Sequence, residues 1–242
     1  MIDLHDRVIA ITGASRGLGA GIARAALAAG AQLALCSRGR AGLEASERVL
    51  TERLDVRDAD AMRHFAREAF ERFGRVDLWI NNAGALEPVG PLIDIEPESF
   101  RALIETNVLG VAWGCRAYLR ELRERDQRGV LLNISSGAAR KAYRGWSGYC
   151  ASKAAVDRLS EAIALEEAER VRVHSVAPGV IATAMQAAIR EKSPREFPDV
   201  GRFIELEQRG ALLEPEAAGA ALLELAFDPD KRSDEVCIDV RD

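Results

Sequence analysis

Short apolar runs alternate along this chain with longer stretches whose apolar positions recur every three or four residues. The first pattern fits strands covered on both faces, and the second fits helices with one buried side. Strands are expected at 7–12, 32–36, 50–55, 77–81, 129–134, 171–177 and 236–240. Helices are expected at 16–29, 58–73, 98–123, 148–167 and 214–227, with room for only a short one before the third strand. Gly30 stops the first helix, Asp58 stands near the start of the next, and Pro215 occupies the first turn of the last. Strand and helix alternate from end to end, so the fold class is α/β: one domain over residues 1–242, a doubly wound parallel sheet of about seven strands with helices on both faces. Residues 183–208 fit neither pattern. They carry Pro194, Pro198 and many charges, and they read as an irregular lid over a site.

Composition changes this picture little. The chain has 242 residues, 48% of them apolar, enough for a sizeable core without staples. A formal charge of -5, with acids and bases interspersed, argues against nucleic acid as a partner. No run reaches membrane-spanning length, and the first residues show no basic-then-apolar leader. Cys36, Cys115, Cys150 and Cys237 are widely spaced without metal-site spacing, and a cytoplasmic protein is expected. His5, His64 and His174 lie away from the motifs described next, and no metal grouping is legible.

Candidate chemistry begins with Tyr149 and Lys153, one helical turn apart on one face, and with Ser136 thirteen residues before the tyrosine. A cation close to a phenol lowers its pKa from about 10, which would let Tyr149 exchange a proton with a carbonyl or alcohol oxygen. Near the N-terminus, residues 12–19 read TGASRGLG between a predicted strand and a predicted helix. Glycines there permit a tight turn and close backbone approach to a pyrophosphate, which the helix N-terminus attracts.

Six motifs stand in order: TGASRGLG, NNAG at 81–84, Asn107, Ser136, Tyr149 with Lys153, and Pro178–Gly179. With them the chain resembles the short-chain dehydrogenase/reductase family over nearly its whole length. The resemblance implies a Rossmann-type fold and a nicotinamide dinucleotide at Gly13, Ser15, Arg16, Gly17, Leu18 and Gly19. It implies adenine contacts at Asp55 and Val56, and passage of the cofactor along Asn82, Ala83 and Gly84, where the asparagines are equally readable as structural. It also implies closure over the nicotinamide by Pro178, Gly179, Ile181 and Thr183. Tyr149 would be the acid or base, Lys153 its pKa partner and ribose ligand, and Ser136 the hydrogen-bond donor to the substrate oxygen. Asn107 would hold a relay water, or else fix its helix. Where NAD-preferring folds carry an acid after the second strand, this chain has Ser37 and Arg38. Arginine suits a 2′-phosphate, so NADP(H) is the expected cofactor, with Arg16 also in reach.

The run LLNISSGAARKAYRGWSGYCASKAA and the later TAMQ resemble, within the family, sepiapterin reductase and bacterial benzil-type carbonyl reductases. That likeness implies a pocket lined by Tyr143, Trp146 and Met185, or packing residues at its rim. It also implies an anchor at Asp239, which is otherwise a surface acid near the end of the chain. The expected partner is a small carbonyl or alcohol substrate, and a homo-oligomer is implied, a dimer before a tetramer. The function expected is an NADPH-dependent reductase of α-dicarbonyls, aryl diketones or pterin side-chain ketones. Other readings are a 3-oxoacyl-thioester reductase, a steroid or polyol dehydrogenase, or a catalytically silent NADP(H) sensor.

Overall fold

The computed structural model describes residues 2–231 and 233–241. Its seven strands are β1 (Val8–Thr12), β2 (Gln32–Ser37), β3 (Val49–Arg53), β4 (Leu78–Asn81), β5 (Gly129–Ile134), β6 (Val171–Ala177) and β7 (Cys237–Asp239). They form one sheet in the order β3-β2-β1-β4-β5-β6-β7, every neighbouring pair parallel. The order reverses between β1 and β4, so the crevice at the carboxyl ends of these strands is where such sheets bind ligands.

Strand residues alternate between two buried faces, which is why the runs are apolar without interruption. Val8, Ala10, Trp79 and Leu131 face α2 (Ala59–Phe73), α4 (Gly110–Glu124) and α5 (Ser147–Glu166). Ile9, Ile11, Leu33 and Ile80 face α1 (Gly17–Ala28) and α8 (Pro215–Phe227). Both layers are built of buried apolar side chains, and the motif residues collect at one end of the sheet between them.

Three features depart from the sequence expectation. Residues 38–48 hold no helix; the chain returns from β2 to β3 through bends and a turn. The segment holds too few apolar positions to build a buried helical face. The helix expected at 98–123 is α3 (Pro97–Ile104), a π turn (Glu105–Leu109), and then α4. A π turn re-aims one residue without ending the helix, and it leaves no signature in hydrophobic spacing. The lid is not irregular. It folds into α6 (Ala184–Arg190) and α7 (Val200–Gln208), too short for their periodicity to stand out between Pro194, Pro198 and the charges. No helix among the described residues is long and apolar enough to cross a membrane.

Candidate active site

The glycine turn joins β1 to α1. Gly13 has φ +68°, and a Cβ there would come within 2.7 Å of Ala83 Cα, so only glycine lets the β1 and β4 ends meet. Asn82 secures the meeting. Its backbone N–H donates to Thr12 Oγ1 at 3.0 Å, and its Nδ2 donates to Thr12 O at 2.9 Å and Gly13 O at 3.2 Å. Asn81 is turned into the core, bonded to Trp79, Cys115 and Asn133, while Asn133 donates to Ser160 of α5. Asn81 and Asn82 are thus structural ties, and Ala83 and Gly84 present their backbone to the crevice edge.

Arg16 precedes α1 without a side-chain cap, and the first turn of α1, with Leu18 and Gly19, carries no acid. Its leading N–H groups and positive dipole end suit a pyrophosphate. Thr183 closes over this turn, its methyl 3.2 Å from a Cβ placed on Gly17. Thr183 also caps α6 by accepting from Gln186 N–H. Ile181 is held by a bridge to Leu213, and Gly179 adopts φ +82° just after Pro178. At the other end of the crevice a cavity of about 500 Å3 is lined by Arg38, Arg53, Leu54 and Asp55. Arg53 escaped the sequence reading, because only the β2–β3 register, pairing Ser37 with Arg53, brings it beside Arg38. Ser37 is buried and donates to Gly39 O. Asp55, followed by buried Val56, is bonded to Arg57, which holds its carboxyl below the usual range.

The reacting centre forms where β5, α5 and the π turn meet. Tyr149 and Lys153 share one face of α5, with Lys153 Nζ 5.8 Å from the phenol ring centroid. Lys153 is buried and donates to Ile134 O at 2.8 Å. Burial pushes its pKa down to about 8, against an opposing pull from Asp157. Tyr149 departs from the expected lowering: burial raises its pKa, and hydrogen bonding from the Ser136 side chain only offsets this in part. Desolvation of the phenolate outweighs its polar neighbours. Ser136 Oγ accepts from Ala138 N–H at 3.1 Å, which leaves its own proton to donate. Asn107, fully buried in the π turn, exchanges two bonds with the Ala85 backbone at 2.7 and 2.8 Å and donates to Ser152 Oγ at 3.1 Å. Ser152 in turn donates to Tyr149 O. Asn107 therefore fixes the turn of α5 that bears the tyrosine. Its Oδ1 and Lys153 Nζ both lie within 4 Å of the space a Gly84 Cβ would fill.

The residues read as substrate contacts have partners of their own. Trp146 is 4% exposed, stacked on Phe197 at 4.4 Å and edge-on to Tyr149 at 5.4 Å. Tyr143 accepts from Arg202 of α7 at 3.0 Å. Met185 is exposed on α6. Asp239 is paired with Arg241, which lowers its pKa, and the Arg241 guanidinium stands 2.9 Å from a Cβ placed on Gly137, next to Ser136. One His/Glu grouping, invisible in sequence spacing, does assemble: Glu52, His64 and Glu68 within 4.8 Å. Hydrogen bonding with Glu68, with burial next, raises the pKa of Glu52.

The short chain dehydrogenase profile matches residues 7–194. The chain belongs to the short chain dehydrogenase family. Among relatives of this dehydrogenase, the L-fucose dehydrogenase of Oryctolagus cuniculus is 34% identical over 225 residues, 91% of this chain and 78% of the relative. The benzil reductase ((S)-benzoin forming) of Bacillus cereus is 31% identical over 232 residues, covering 90% of this chain and 93% of that one. Among solved structures, the KRED1-Pglu enzyme superposes with a TM-score of 0.86 at 35% identity, over 95% of this chain and 98% of that chain. The protein is an oxidoreductase of carbonyl and alcohol groups, of a family that uses NAD(P)(H), and the turn, crevice and α1 terminus described above fit such a dinucleotide.

Proposed function

We propose that this dehydrogenase is an NADPH-dependent carbonyl reductase acting on α-dicarbonyls or aryl diketones, with pterin side-chain ketones in the same class. The observation that carries the reading is the buried Tyr149 phenol, still protonated near neutrality, beside the Ser136 hydroxyl and the Lys153 ammonium. The cofactor, when bound, supplies the hydride. Ser136 donates a hydrogen bond to the carbonyl oxygen and polarises it. Tyr149 gives its proton to the same oxygen as charge develops there. Lys153 supports the resulting phenolate and would hold the cofactor's ribose. Oδ1 of Asn107 has a second lone pair besides the one that accepts from Ala85, and it borders the same space as Lys153 Nζ, where a water would return the proton. Arg38 and Arg53, with Arg16 at the glycine turn, support a preference for the 2′-phosphate of NADP(H). The aromatic cluster of Tyr143, Trp146, Phe197 and Phe203 packs beside Tyr149, surroundings that would suit an aryl ketone. Asp239 enters as half of an Asp239–Arg241 pair, able to meet donors and acceptors on a substrate edge. We further propose that the protein is a homodimer in a reducing cytoplasm, a reading that its four free cysteines support.

A second reading, oxidation of a sugar or polyol hydroxyl, is favoured by the L-fucose dehydrogenase relative. Initial rates with NADPH against benzil, sepiapterin and acetoacetyl thioester, and with NAD+ or NADP+ against L-fucose, separate the two. The expected result is turnover of benzil with NADPH, reduced about 10²- to 10⁴-fold in Tyr149→Phe with cofactor binding retained. Activity confined to L-fucose installs the second reading. Full activity in Tyr149→Phe removes the mechanism.

A further inference from the structure

One turn beyond Lys153 on α5, Asp157 occupies a place that the reaction as described does not use. Its Oδ1 accepts from Ser135 Oγ at 2.5 Å and from Ser175 Oγ at 2.6 Å. Ser135 is the residue before Ser136, just past the end of β5, and Ser175 lies on the adjacent β6. One carboxylate thus fastens α5 to two strand ends directly beneath the catalytic group. Both hydroxyls donate to the same carboxylate oxygen, which sets their rotors. The serines are themselves buried, and the carboxylate that they hold is half-buried.

The other charged and titratable groups around Asp157 leave it as the anion facing Lys153. Lys153 lies four residues earlier on the same helix, where side chains meet. Glu161, four residues later, is paired with Arg158. Cys237 of β7 packs against the Asp157 backbone, its thiol pushed up to about 11 by burial first and by Asp157 next, so it stays neutral. Arg140 reaches the same strand but spends a donor on Cys237 O. Lys153 itself has a backbone carbonyl, Ile134 O, as its hydrogen-bond acceptor and, among the described residues, no carboxylate in an ion pair with it. A buried ammonium held by one neutral acceptor needs a nearby anion to remain charged.

We propose that Asp157 is a positioning residue of the active site: held by Ser135 and Ser175, it keeps Lys153 charged and fixes the strand end from which Ser136 projects. This rests on reading Tyr149 and Lys153 as the proton-transfer pair. The catalytic serine and the catalytic lysine then share one support, so that the donor to the substrate oxygen and the cation behind the phenol are set together.

The test does not depend on turnover. The chain has four lysines, Lys141, Lys153, Lys192 and Lys231, so lysine ε-carbon NMR signals can be assigned by removing each in turn. Asp157→Asn preserves an acceptor for both serines and deletes only the charge. The expected result is a Lys153 titration midpoint lowered by about one pH unit, with the other three midpoints unmoved. In the active enzyme the alkaline limb of the kcat profile moves down by the same amount while NADPH affinity below pH 7 is retained. Asp157→Ala, which also frees Ser135 and Ser175, additionally lowers kcat below pH 7. An unchanged Lys153 midpoint in folded Asp157→Asn would overturn the proposal, whatever the enzyme's substrate proves to be. So would equal losses in Asp157→Asn and Asp157→Ala with an unmoved pH limb, since hydrogen bonding alone would then account for the residue. A shifted midpoint in a protein that reduces no carbonyl would leave Asp157 as the support of Lys153 and sink only the reductase reading.

Discussion

At the scale of single residues, the site works by balancing burial against polar support. Tyr149 and Lys153 are both buried, and burial disfavours the charged form of each: it raises the phenol and lowers the amine. In the proposed carbonyl reduction the phenol would therefore start with its proton, as an acid should. Lys153 carries its charge below about pH 8 and loses it above. Reduction measured as kcat/KM is expected to hold from pH 6 to pH 7.5 and to fall as pH rises through about 8. A flat profile to pH 10 would remove Lys153 from that role. The proposed preference for NADP(H) is just as local. Arg38→Asp is expected to weaken NADPH binding by at least about tenfold, since it removes one charge-assisted contact to a phosphate and adds repulsion. NADH affinity is expected to be little changed, and fluorescence titration with both cofactors reads the difference.

At the scale of elements, the decisive pieces are those with no periodic signature. The π turn between α3 and α4 places Asn107 where it grips Ala85 and Ser152 at once. A regular helix through 98–123, as the spacing predicts, would rotate the residues beyond the turn away from these partners. The lid shows the same limit from another direction. Helices α6 and α7 are stabilised less by their own seven and nine residues than by the core under them, in which Trp146, Phe197, Val200 and Phe203 pack against Tyr149. Trp146→Ala is expected to cost about 3–5 kcal/mol at this cluster, much of it as loosening of the lid. Hydrogen exchange should then rise across 184–208 and KM should increase, while strands β1, β4 and β5 keep their protection. An unaltered exchange pattern would mean that the aromatic cluster does not anchor the lid.

At the scale of the whole molecule, the sheet order brings six separated sequence motifs to one crevice. The strands that carry them end at the same edge because every neighbouring pair is parallel. The outer surfaces of the long helices are the remaining large feature. Leu165 on α5 is 85% exposed, and Leu109 at the head of α4 is 40% exposed. Isolated exposed leucines are ordinary, but the resemblance to the family points to assembly through these helices. Leu165→Glu is expected to convert a dimer to a monomer, with light scattering after size exclusion giving about half the mass. A monomeric parent protein would dispose of the dimer.

The chain alone determined its class, its strand–helix order and the members of the candidate catalytic group, because burial on two sheet faces, glycine turns and one-turn spacing are local constraints that sequence must obey. It also carried the arginine at the end of the second strand. Tertiary structure alone decided what lies between those signals. Arg53 joins Arg38 only through strand register, and Asn107 turns inward only through a π turn. Asp157 meets Ser135 and Ser175 only because α5 crosses β5 and β6. The lid becomes helical only over an aromatic core built from distant segments. Each of these depends on contacts between residues far apart in the chain, where hydrophobic periodicity and motif spacing have no reach.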